Sequence, residues 1–125
     1  MRYMMIVKGN EKIDRAGPPP AALMQAVGNL LEESAKAGRI VSFGGLRETA
    51  DGARVRLENG KLTTTDGPFT ESKEVIGGFT IMNLESKAQA IEEAVKFMEL
   101  HRVHWPEWEG ETEIRLMYEE GEGPS

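Results

Sequence analysis

A cysteine-free chain of 125 residues has room for one hydrophobic core, burying roughly two-thirds of the surface that its unfolded form exposes. The missing thiols exclude a disulfide scaffold, thiolate zinc sites and cysteine nucleophiles, and they suit a reducing compartment. With 15 basic residues against 21 acidic ones, a net charge of −6 and no basic cluster, neither nucleic acid nor an anionic membrane is an expected partner.

The apolar run at the N-terminus is about five residues, far short of the ~20 that span a bilayer, so a cytoplasmic location is expected. Residues 2–8 alternate Tyr3, Met5 and Val7 with Met4 and Ile6. Both sets are apolar, which predicts a central strand covered on both faces. Pro18-Pro19-Pro20 keeps the chain extended, and Pro20 suits the first turn of a helix. That helix is expected to reach about Ala37, with Leu23, Val27, Leu30, Leu31 and Ser34 on one stripe and Gly38 as its terminator. A strand over residues 40–43 follows and ends in Gly44-Gly45-Leu46.

The strongest local signal is Asn59-Gly60, the preferred pair for a two-residue type I′ hairpin. That loop sets the register: Glu58 faces Lys61, Leu57 faces Leu62, Arg56 faces Thr63 and Arg54 faces Thr65. One face then carries Val55, Leu57, Leu62 and Thr64, and the other carries Arg54, Arg56 and the Glu58/Lys61 pair. Asp66-Gly67-Pro68-Phe69 breaks the hairpin. Residues 75–84 read as a strand in which Gly77-Gly78 marks a bulge or a close approach to the backbone. Ser86 with Gln89 makes a capping box that opens a second helix to about His101, with Ile91, Ala94, Val95 and Met98 as its apolar stripe. The last strand covers residues 112–118. The acidic tail 119–125 is expected to be disordered, which leaves one domain over residues 1–118.

The order β-α-β-(hairpin)-β-α-β predicts an α+β, ferredoxin-like fold with an antiparallel sheet and two helices on one face. A first strand that is apolar on both faces needs a second cover. A second copy packed sheet to sheet supplies it, so a homodimer is expected.

Asp66-Gly67-Pro68-Phe69, with Glu71, Lys73-Glu74 and Gly77-Gly78-Phe79, resembles the signature of the DGPF branch of the YCII-related family. Gly44-Gly45-Leu46, Gly52-Ala53-Arg54-Val55 and Glu113-Ile114-Arg115 extend the resemblance over about residues 1–118. It implies a dimeric α/β barrel. Shorter YCII proteins pair a histidine of the first helix with an aspartate, but here that helix holds no histidine and the pair does not carry over. Fusion of some DGPF domains to sigma-factor domains implies a regulatory association.

The candidate chemistry has a bland reading beside each sharp one. Asp66 either anchors its own turn or, beside Arg54 and Arg56, orients a polar or anionic ligand. The two arginines either form a solvated face or bind an anionic group, and Lys73, Arg115 and Trp105 are further ligand-binding candidates. Trp105 and Trp108 either anchor the connection after the second helix or line a pocket. His101 either packs in the core on a backbone hydrogen bond or acts with Asp66 or Glu113 in acid–base chemistry. His101 and His104 have a metal-compatible spacing without a third ligand in any known pattern, so no metal is expected. No Walker loop, GxGxxG or GxSxG is present, and no cofactor is expected. Two functions remain in view: a small-molecule binding or regulatory module for a small polar or anionic ligand, and a cofactor-independent isomerase or lyase using His101 and Asp66 on a small organic acid or ring compound.

Overall fold

The computed structural model describes residues 1–10, 17–69 and 74–123. Its elements run in the expected order: β1 (Arg2–Gly9), α1 (Ala21–Lys36), β2 (Ile40–Gly45), β3 (Ala53–Glu58), β4 (Lys61–Asp66), β5 (Val75–Asn83), α2 (Lys87–His104) and β6 (Glu111–Leu116). Four strands form a sheet in the order β2-β5-β1-β6, while β3 and β4 form a separate two-stranded sheet. Every pairing is antiparallel. The chain is therefore an α+β domain of ferredoxin-like topology with a hairpin inserted between the second and third strands of its main sheet.

β1 lies between β5 and β6, the central position that its doubly apolar sequence requires. Tyr3, Met5, Met82, Leu84 and Ala90 form the buried cluster, with Ile40 and Ile114 packed against it. These side chains share the face covered by the helices, where Thr112 Oγ1 donates to Met98 Sδ at 3.2 Å. The opposite face carries Met4, Ile6, Phe79 and Ile81, all half-buried and covered by neither helix.

The local signals explain the element ends. α1 begins one residue later than expected, with Pro20 at the cap position rather than inside the first turn. Gly38, at φ 74°, lets the Arg39 amide donate to the Ser34 carbonyl and its own amide to that of Ala35. This double bond pattern satisfies the helix's last carbonyls. At the start of α2, Ser86 Oγ accepts from the Gln89 amide at 3.1 Å, and Gln89 Oε1 accepts from the Glu85 amide at 2.8 Å.

The hairpin has the expected register at every pair, from Ala53 opposite Asp66 to Glu58 opposite Lys61. Both loop residues take the left-handed conformation, Asn59 at φ 53° and Gly60 at φ 78°, as a type I′ turn demands. Its apolar face meets none of the main sheet: Val55, Leu57 and Leu62 are each about seven-tenths exposed. Gly77 is the extra residue of a bulge in β5, since Gly78 pairs with Val7 and Ile76 with Lys8.

The phase of α2 differs from the expectation. Its buried residues are Ala90, Glu93, Ala94 and His101, while Ile91 and Val95 are exposed. Of the expected stripe, Ala94 and Met98 do lie inward, while Ile91 and Val95 turn to solvent. Two polar side chains take the inward positions because partners meet them there. Glu93 accepts from Arg39 Nη1 at 2.7 Å, and the His101 ring bonds the Phe97 carbonyl. α2 also runs one turn past His101, to His104. No helix among the described residues is long and apolar enough to cross a membrane.

Candidate functional site

At one end of the domain, the helix-covered face of the sheet opens into a cavity of about 480 Å³ between the first half of α1, β2 and the end of α2. Glycines make its floor. Gly45 pairs with Gly78 across β2 and β5, and Gly44 and Gly77 complete the stretch, so backbone rather than side chain faces the space. A Cβ on Gly78 would lie 3.0 Å from the Gly44 carbonyl oxygen, so close strand packing holds that floor flat.

The wall is aromatic and comes from α2 and the turn after it. His101 is buried, with Nδ1 3.0 Å from the Phe97 carbonyl oxygen. A carbonyl only accepts, so Nδ1 carries the proton. The imidazole centroid is 4.7 Å from that of Phe97 and 4.5 Å from that of Trp108. Trp105, buried at the end of α2, stacks on Trp108 with centroids 6.3 Å apart and planes inclined by 25°. Trp108 folds back because Gly110 has no side chain. A Cβ there would collide with the Trp108 ring and the Lys8 carbonyl oxygen. Met24, Val27 and Phe43 add apolar lining.

The expected site residues divide between this cavity and the surface. His101 and Trp105 line it; Asp66, Arg54, Arg56 and Arg115 do not. Lys73 lies outside the described residues. Asp66 ends β4 at the hairpin base, exposed, opposite Ala53. Beside it the Gly67 amide donates to the Gly52 carbonyl at 2.9 Å, and a Cβ on Gly67 would collide with the Thr49 backbone. The Gly67–Pro68 peptide is cis. Arg54 lays its guanidinium 3.8 Å above the Phe69 ring, a cation–π contact that ties the hairpin to the turn. Arg56 is exposed, 4.0 Å from Glu58.

Arg115 and Glu113 belong to the face opposite the helices, so Glu113, one of the two acid–base partners considered for His101, lies away from it. There Lys8 Nζ donates to Glu113 Oε1 at 2.6 Å, and Arg115 Nη1 donates to Oε2 at 3.2 Å. The Lys8 hydrogen bond, then that of Arg115, holds the Glu113 carboxyl below its ordinary value. The same Lys8–Glu113 bond raises the Lys8 ammonium above its own. No cluster of metal-ligating side chains occurs among the described residues.

Trp108 was named beside Trp105 as an alternative pocket residue, whereas Phe43 and Phe97 were absent from the expected site residues. The signal for them was the pair of Gly-Gly steps: glycines aligned across two strands leave a bare backbone floor, and neighbouring aromatics become its walls.

No curated protein matches the chain. The YCII-related domain model matches residues 1–97, and on that match the chain belongs to the YCII-related family.

Proposed function

We propose that this chain is a small-molecule-binding module of the DGPF branch, working as a homodimer. The observation that carries the reading is the cavity of about 480 Å³ walled by His101 and both tryptophans of the chain. Its size and apolar lining with a few convergent polar groups are those of small-molecule sites. Asp66 and Glu113 lie outside the lining, so proton transfer between His101 and either carboxylate has no geometry here to favour it over simple binding.

Support for the homodimer is the helix-free sheet face, where Met4, Ile6, Phe79 and Ile81 form an apolar patch beside the Lys8–Glu113–Arg115 ion pairs. A second copy related by a twofold axis buries that patch against itself.

Because both tryptophans border the cavity, their emission reports its occupancy directly. A fragment panel screened by thermal shift should contain compounds that raise the melting temperature and also change tryptophan emission. A panel that raises the melting temperature with no change in emission would place binding elsewhere and refute the reading. Mass in solution should be twice the 13.8 kDa of one chain; a single-chain mass would refute the dimer.

A further inference from the structure

We propose that residues 101–110 make the cavity selective for a flat, uncharged ring compound, an inference that rests on the cavity being a ligand site. Four rings from one continuous stretch, Phe97, His101, Trp105 and Trp108, pack on one another in a single wall. The two tryptophan planes lie within 25° of parallel, and the Trp108 ring packs directly on Gly110, where no side chain would fit. The floor is equally flat: a Cβ on Gly45 would meet nothing within 4 Å, and one on Gly77 only the Val7 carbonyl oxygen at 4.0 Å. Bare backbone on one side and aromatic rings on another suit a planar molecule, since offset stacking rewards flat partners. Phe43, a further ring in the lining, stays 54% exposed, an apolar surface that a ligand would cover.

Charge argues for a neutral occupant. Besides His101, the ionisable lining residues among those described are Arg47 and Glu48, adjacent and of opposite sign. The Arg47 guanidinium donates through Nε to Asp51 at 2.9 Å, so its positive charge is shared with two neighbouring carboxylates, Asp51 and Glu48. The arginines expected to capture an anion, Arg54, Arg56 and Arg115, are elsewhere. An anion entering the slot would lose its hydration beside a described lining whose Arg47 charge is offset by Asp51 and Glu48, which favours a neutral occupant. The selecting residues also stand apart in the chain: the family match ends at residue 97, whereas His101, Trp105, Trp108 and Gly110 follow it. The family portion thus supplies the floor and Phe97, and the segment after it supplies the other three rings of the wall.

The test is titration calorimetry of the purified full chain with three probes of similar size: naphthol, flat and neutral; naphthoate, flat and anionic; and decahydronaphthol, neutral but not flat. Naphthol is expected to bind most tightly. Trp108→Leu, which keeps apolar bulk and removes the ring, should weaken naphthol by about three- to tenfold while changing decahydronaphthol by less than about twofold. Phe43→Leu, at an exposed position, should act in the same direction and serves if Trp108→Leu fails to fold. Equal binding of naphthol and decahydronaphthol, unaffected by either variant, would overturn the ring selectivity and leave the ligand-site reading intact. Tighter binding of naphthoate than naphthol would overturn the preference for an uncharged ligand. Absence of binding heat with all three probes, together with unchanged tryptophan emission, would overturn both readings.

Discussion

Replacing Arg39 by Met tests how the two helices are held together. Glu93 reaches from α2 into the interior, where its side chain is 5% exposed, and its carboxylate meets Arg39 Nη1 at 2.7 Å. Arg39 follows directly on the turn that closes α1, so this pair links the exit of one helix to the inner face of the other. Arg39→Met keeps the aliphatic stem but strands a buried carboxylate, with Lys96, half-exposed and 3.6 Å away, as its remaining cation. Breaking a buried pair from one side costs about 3–5 kcal/mol. Arg39 is itself 36% exposed and Lys96 compensates in part, so the loss should fall at or below the bottom of that range, about 2–3 kcal/mol. For a domain of this size that is a fall in Tm of roughly 6–12 °C. Urea denaturation followed by circular dichroism, at one protein concentration, should show a lower midpoint at unchanged slope. Adding Glu93→Leu should recover most of the loss, because the desolvated charge is then gone. A single variant within about 0.5 kcal/mol of the parent, or a double variant no better than the single, would refute the reasoning.

Acid should weaken the fold partly through Glu113. Its carboxyl sits below the ordinary 4.5 because Lys8, then Arg115, stabilises the anion, so its contribution is present above that value and fades as pH falls through the lower folded value. Lys8, raised above 10.5, contributes below that value and loses its share as pH rises through the higher folded one. A stability profile against pH should therefore be flatter for Glu113→Gln on both the acid and the far alkaline sides; an unchanged profile counts against the pair. Gly60→Val forces a β-branched residue to φ 78° and should cost about 1–2 kcal/mol. The hairpin makes its own sheet, so that cost should appear as faster amide exchange in β3 and β4 with little change in β1 and β5. Uniform loss of protection would contradict that independence. Gly110→Ala should lower the melting temperature and shift tryptophan emission together, because the new methyl displaces Trp108 and the Lys8 backbone; a silent substitution would remove the proposed anchor of the wall.

What could be settled from the residue order alone was local or periodic. Asn59-Gly60 dictated a hairpin register pair by pair, since only a type I′ loop uses those two left-handed positions. Gly38, Ser86 and Gln89 marked helix ends through bonds to their nearest neighbours, and the doubly apolar β1 announced its place in the middle of the sheet. Tertiary structure decided the rest. The inner face of α2 was misassigned in part because periodicity weighs apolarity: Glu93 turns inward only where Arg39 is brought to meet it, whereas Ala94, Met98 and the backbone-bonded His101 lie inward as their spacing indicated. The cavity likewise exists because α1, two glycine steps on separate strands and the turn after α2 converge, positions far apart in the chain. The same convergence parts Asp66 from His101, leaving the aspartate at the hairpin base and the histidine in an aromatic wall.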